Sequence, residues 1–139
     1  MKSKNDLIHF MLFHYPNNSG TFEIDGQWWS EAGMNGFCPR NKAFPQRGQW
    51  HWDGNIVFKI IPLLSIESPK RAEGILLFKK DRMIRILEGI RNSAPIPPIE
   101  IQTKETGDYP YTVHNGVHRF YASIAVGFTH VPAFIGNYL

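Results

Sequence analysis

A β-prone run, Tyr111-Thr112-Val113-His114-Asn115, stops at Gly116, and a helical pattern starts at the next residue. Val117, Phe120, Tyr121, Ile124 and Ala125 recur at i, i+3, i+4, i+7 and i+8, the period of a helix with one apolar face. Gly127 stands where a helix C′ residue belongs. The stretch Thr129-His130-Val131-Pro132-Ala133-Phe134-Ile135 then reads as a short strand. A strand, a tight glycine turn, a helix and another strand in such close succession require mixed α and β structure, with the helix packed on the strands it joins.

The same turn has chemical consequences. A helix start leaves backbone N–H groups without internal partners, and the dipole there favours negative charge. Gly116 removes the Cβ that would hold a ligand away. His118 and Arg119 fall in the first turn, and an arginine brings a planar, permanently charged fork that fits phosphate oxygens. These residues describe a candidate phosphate-binding turn. The plainer alternative is an ordinary helix whose His118 and Arg119 are solvated.

Upstream, the stretch from Lys79 to Arg91 puts Met83, Ile84, Leu87 and Ile90 on a shared apolar face, which predicts a helix over 79–91. Arg82 and Arg85 are three apart and can sit side by side on it. A solvated basic face with an Arg85–Glu88 pair is the simpler alternative. Before this helix, Val57 to Ile66 is mainly apolar and reads as a strand followed by a loop. Ser68-Pro69 is a helix-start signal, with serine as cap and proline at the first helical position; Lys70 and Arg71 follow it, and Glu67 is the carboxylate beside that loop.

A chain of 139 residues can bury a real core, and no linker between domains is evident. The proline-rich stretch from Asn92 to Pro98 is short and reads as a loop entering a strand. A formal charge of +3 permits a polyanionic partner without demanding one. The apolar stretch Leu7 to Phe13 is too short to span a bilayer and lacks the small-residue cleavage site of a signal peptide, so no membrane association is expected. A single cysteine, Cys38, excludes an internal disulfide and fits a reducing compartment, which makes the cytoplasm the expected location. No cysteine pair, HExxH string or carboxylate cluster signals a metal, and His114 and His118, four apart, are divided by the turn at Gly116.

Residues 1–56 differ in character. Trp28, Trp29, Trp50 and Trp52 all lie there, with Asp25-Gly26, Gly33, Gly36, Gly48 and Asp53-Gly54 reading as turns. Thr21 to Trp29 alternates like a small hairpin. The expected arrangement is an aromatic-rich extension packed on a core formed by residues 57–139. An exposed stacking surface is the alternative, and Arg40, Lys42 and Arg47 among the aromatics keep nucleic acid in view.

Four ordered pieces carry a family resemblance: Ile96-Pro97-Pro98-Ile99-Glu100-Ile101, Gly107-Asp108-Tyr109-Pro110-Tyr111, Gly116-Val117-His118-Arg119-Phe120-Tyr121-Ala122, and Val131-Pro132-Ala133. Over residues 57–135 the chain resembles the ParB/sulfiredoxin-like superfamily, and sulfiredoxins in particular, with their proline-proline strand, Gly-Asp-Tyr hairpin and Gly-x-His-Arg turn. The resemblance implies an α+β fold with a small mixed sheet and flanking helices, and a turn that holds nucleotide phosphates. It places Val117 where sulfiredoxins have the catalytic cysteine. Reduction of a sulfinic acid requires a thiolate there, so that activity is excluded for this chain.

By the same resemblance, the helix at 79–91 supplies a basic residue, at or near Arg82, to the phosphates. Arg85 stands where a hydroxyl residue would be expected. The loop after the first strand contributes a charged residue, for which Lys70 or Arg71 would stand in. Related kinases of this fold use a glutamate as general base, which nominates Glu67. The functional expectation is a nucleotide-binding protein that takes ATP, or another nucleotide with its Mg²⁺, at Gly116, Val117, His118, Arg119, Arg82, Arg85 and Lys70. Glu67 and His118 would be the catalytic groups of any hydrolysis or phosphoryl transfer. The alternatives are a ParB-like nuclease or DNA-binding accessory protein, against which stands the lack of a helix-turn-helix pattern after the turn, and a non-catalytic scaffold for a protein partner.

Overall fold

The structure, a computed structural model, describes residues 10–39, 58–69, 78–94 and 97–136. Strands β1 (Phe10–His14) and β2 (Thr21–Asp25) form an antiparallel hairpin and lead into a short helix, α1 (Gly26–Glu31). Then come β3 (Lys59–Pro62), a single 3₁₀ turn (Leu63–Ser65), β4 (Ile66–Glu67), α2 (Lys80–Arg91), β5 (Ile99–Thr103), β6 (Tyr111–Asn115), α3 (Val117–Val126) and β7 (His130–Gly136). The second sheet is mixed and five-stranded, in the order β3-β7-β5-β6-β4. Strand β5 runs parallel to β7 and antiparallel to β6, while β4 joins β6 in parallel at the far edge. The expected α+β class, with a small mixed sheet and flanking helices, is the observed one.

Both helices form where the periodicity places them. In α2, Met83, Leu87 and Ile90 are buried and Ile84 is half-buried. Helix α3 begins at Val117 and ends at Val126 between two left-handed glycines, Gly116 at φ 96° and Gly127 at φ 95°. Its covered surface is broader than one stripe. His118, Ala122, Ser123 and Val126 are buried beside Phe120 and Tyr121, whereas Val117, Ile124 and Ala125 are only half covered. The reason is that α3 is enclosed on more than one side. It packs on the sheet and on α2, and the rings of Phe22 and Phe78 close on Tyr121 at 4.8 and 5.2 Å.

Two local expectations are corrected. Thr21 to Trp29 is not itself a hairpin: Thr21–Asp25 pairs with the preceding strand β1, and the chain then turns helical. Asp25-Gly26 serves as a helix start because the Asp25 carboxylate accepts the N–H of Gln27 at 2.8 Å, an N-cap bond. The apolar run through Ile66 is divided by the 3₁₀ turn. Strand β3 ends at Pro62, which pairs with His130, and Leu63 then donates its N–H to the Thr129 carbonyl at 2.9 Å. The cap signal at Ser68-Pro69 points to a helix whose body lies outside the described residues, as do Lys70, Arg71, Trp50, Trp52, Arg40, Lys42 and Arg47.

One cluster of buried side chains joins the two sheets. It includes Phe22, Ile24 and Trp29 from the hairpin and α1, Met34 from the segment after α1, Ile61, Ile99, Ile101 and Val131 from the five-stranded sheet, and residues of both long helices. Trp29 is buried and its ring meets Phe13 at 5.3 Å. Tyr15 reaches across to share a hydroxyl–hydroxyl bond of 2.9 Å with Tyr121, which is fully buried. No helix among the described residues is long and apolar enough to cross a membrane.

Candidate functional site

The strand-to-helix turn at Gly116 faces the side of α2 that carries Lys79, Arg82, Ile86, Gly89 and Ile90, and a cleft of about 580 Å³ lies between them. The end of β6 contributes His114 and Asn115, and three further segments complete it. Helix α2 contributes its basic first turns, α3 contributes its N-terminal turn, and the segment before β5 contributes Pro97.

Gly116 occupies the N-cap position of α3 in the left-handed region, and no side chain caps the helix. Its backbone conformation already disfavours any other residue. A Cβ there would also lie 2.9 Å from Ile99 of β5 and 3.2 Å from the Arg119 guanidinium. The sheet behind the turn therefore already demands glycine at this position. Asn115 steadies the turn: its side chain accepts the Gly116 N–H at 2.8 Å and donates to Glu100 at 3.1 Å.

Arg119 is held by the proline pair. Its Nη1 donates to the carbonyls of Pro97 at 2.9 Å and Pro98 at 2.7 Å, which fixes the guanidinium at the cleft wall. Burial pushes the Arg119 pKa below its ordinary value, nearby Arg82 pushes it the same way, and Glu100 opposes both. Glu100 acts on Arg119 more strongly than Arg82 does, so the guanidinium has a carboxylate working in its favour beside the cleft.

His118 makes a contact that its motif did not suggest. Its Nε2 accepts the backbone N–H of Lys79 at 2.8 Å, so that nitrogen holds a lone pair and is committed to the protein. Lys79 is the N-cap of α2, and its side chain provides no capping bond. The imidazole therefore ties the start of α3 to the start of α2 and sets the spacing of the two basic turns. The ring of Phe78 meets that of His118 at 5.6 Å.

Of the residues nominated from sequence, Gly116, Val117, His118, Arg119, Arg82 and Arg85 all line this cleft. Lys70 lies outside the described residues. Glu67 is not brought there. It sits on edge strand β4, and its carboxylate is ion-paired with Lys104 of the hairpin that joins β5 to β6. The same edge is tied to the β1–β2 turn, since Asn17 donates to the Ile66 carbonyl at 3.0 Å and accepts from Tyr109 at 2.8 Å. In this position Glu67 does not line the cleft and is engaged on another part of the sheet.

Lys79, His114, Asn115, Ile86, Gly89, Ile90, Ala94 and Pro97 also line the cleft and were not assigned to it from sequence. Lys79 precedes the first residue of α2 in extended backbone, so helical spacing from Arg82 does not place it. Gly89 could have been found as a glycine placed in mid-helix. Exposed Arg82 and Arg85 have no ion-pair partner among the described residues, and no carboxylate is among the described residues lining the cleft. No group of three or more His, Cys, Asp or Glu side chains among the described residues is arranged to hold a metal ion.

No family model matches this chain, and no curated protein matches it. A solved structure of sulfiredoxin from Arabidopsis thaliana is similar at 20% identity, with a TM-score of 0.46, over 59% of this chain and 86% of that one. The likeness is one of chain fold at low identity and brings no activity with it.

Proposed function

We propose that the cleft between α2 and the Gly116 turn binds the phosphates of a nucleotide such as ATP. The observation that supports this reading is the meeting of Lys79, at the N-cap of α2, and Arg82 and Arg85 of α2 with Arg119 and an uncapped helix N-terminus, with no carboxylate among the described lining residues. This concentration of positive potential, offset at Arg119 by Glu100, favours a polyanion. The backbone N–H groups of the first turn of α3 would meet phosphate oxygens, Arg119 would hold a fixed fork toward them, and Arg82 would close from the opposite side. A magnesium ion would enter chelated by the phosphates themselves, because no carboxylate among the described lining residues is there to receive it.

Any phosphoryl chemistry would rest on positioning and charge stabilisation. Neither nominated base supports more than that: Glu67 is paired with Lys104, and His118 Nε2 is occupied by Lys79. Valine at position 117 leaves no thiolate for sulfinic acid chemistry.

The test is thermal stabilisation by ATP, ADP and CTP in magnesium buffer, with Arg82→Gln beside the parent protein. Ligand at about a hundred times Kd adds about 2.7 kcal/mol of stability. Saturable stabilisation that is lost in Arg82→Gln supports the reading. No shift with any nucleotide overturns it, and strongly salt-dependent binding of DNA in its place would move the site to a nucleic-acid backbone.

A further inference from the structure

The chain has two Asn-Gly pairs, Asn35-Gly36 and Asn115-Gly116, and the fold holds them differently. An asparagine before glycine is open to attack by its own backbone, because no Cβ shields the nitrogen that follows it. Asn115 is exposed, and its Oδ1 accepts the Gly116 N–H at 2.8 Å. That bond sets the Gly116 nitrogen beside Cγ of the same side chain. The Nδ2 of this amide donates to the Glu100 carboxylate at 3.1 Å. Asn35 is also exposed, and Gly36 also has a positive φ, 76°. Its Nδ2, however, donates to Ser30 at 3.1 Å, which ties that amide to α1.

The charges around Asn115 suit ring closure. Gly116 is the N-cap of α3 and shares the cleft with Lys79, Arg82 and Arg119, so positive potential stabilises the ionised form of its N–H. Glu100 lies at the nitrogen that must leave, and a carboxylate there stabilises the positive charge which that nitrogen gains on protonation.

We propose that Asn115-Gly116 is a self-modification site, where the chain deamidates and changes the charge of its own cleft. The Gly116 nitrogen gives its proton to solvent and attacks Asn115 Cγ. A new C–N bond forms, the Cγ–Nδ2 bond breaks, and Nδ2 departs as ammonia with a proton taken from water. Water then opens the resulting succinimide at either carbonyl, leaving aspartate or isoaspartate. No oxidant, reductant or cofactor enters. Either product puts a carboxylate into a cleft whose described lining has none, and isoaspartate also lengthens the backbone between β6 and α3. The consequence for binding rests on the anion-binding reading above, since a fixed negative charge competes with a polyanion for the same cations.

The experiment incubates the full chain at mildly alkaline pH, folded and in urea, and follows both asparagines by peptide mapping with mass spectrometry. In the folded chain Asn115 is expected to exchange amide for acid several-fold faster than Asn35, yielding both aspartate and isoaspartate peptides. In urea the two rates should converge. Glu100→Gln should slow the reaction at Asn115 and leave Asn35 as it was. Conversion at Asn35 as fast as at Asn115 in the folded chain overturns the inference, and so does a ratio that urea leaves unchanged. Binding is read separately by calorimetry with ATP, comparing Asn115→Asp, the product with a normal backbone, with the uncharged Asn115→Ser. Asn115→Asp should bind about tenfold more weakly. Equal affinity in the two variants overturns the consequence for binding. Absence of ATP binding in every form, the parent included, overturns the nucleotide reading, and the mass spectra still decide the modification.

Discussion

Gly116 carries two constraints at once, and both are measurable. Its φ is 96°, and a methyl group on its Cα would come within 2.9 Å of Ile99, so Gly116→Ala must strain the turn or move β5. The expected cost is about 1–3 kcal/mol in chemical denaturation, larger than an ordinary surface change. The two arginines of the cleft should separate cleanly by the same method. Arg119 holds two proline carbonyls, so Arg119→Ala should lose about 1–3 kcal/mol of stability along with anion binding. Arg82 is exposed and has no ion-pair partner among the described residues, so Arg82→Gln should leave stability within about 0.5 kcal/mol and lose binding alone. Equal destabilisation by both changes would contradict the positions assigned to them.

At the scale of elements, α2 and α3 were legible because periodicity and capping glycines act locally. Met83, Leu87 and Ile90 report one buried face, and Gly116 and Gly127 bracket α3. The hairpin was not legible in the same way. Asp25-Gly26 is a turn signal in isolation, and only the pairing of β2 with residues before it decides that the pair starts a helix. The surroundings of Glu67 were not legible for a related reason: a carboxylate next to a loop says nothing about the strand edge to which that loop is pinned. The helix itself offers a prediction. Gly89→Ala removes backbone freedom from the unfolded chain without a clash, so it should raise stability by about 0.5–1 kcal/mol in a thermal melt. A loss of stability there would mean that glycine at position 89 serves the backbone of α2 and not the cleft.

Across the whole molecule, the cleft depends on an aromatic junction some distance from it. Tyr15 and Phe22 meet Tyr121, Phe22 also meets Phe78, and Phe13 joins Phe22 to Trp29 of α1; Phe78 in turn touches His118, whose ring joins the two basic turns. This continuity was out of reach of the sequence, because rings far apart in the chain carry no periodic signal of their contact. Tyr121→Phe keeps the ring and removes the hydroxyl that Tyr15 meets at 2.9 Å. It should cost about 1 kcal/mol in urea unfolding, with the slope unchanged, since packing is preserved.

The most direct test of the anion-binding account is amide chemical-shift mapping of the isotopically labelled protein during titration with ATP. Saturable shifts at Val117, His118 and Arg119, and at Lys79 and Arg82 across the cleft, are the predicted result. Saturable shifts confined to another surface, or no shifts at ligand concentrations that load an ordinary nucleotide site, would contradict it.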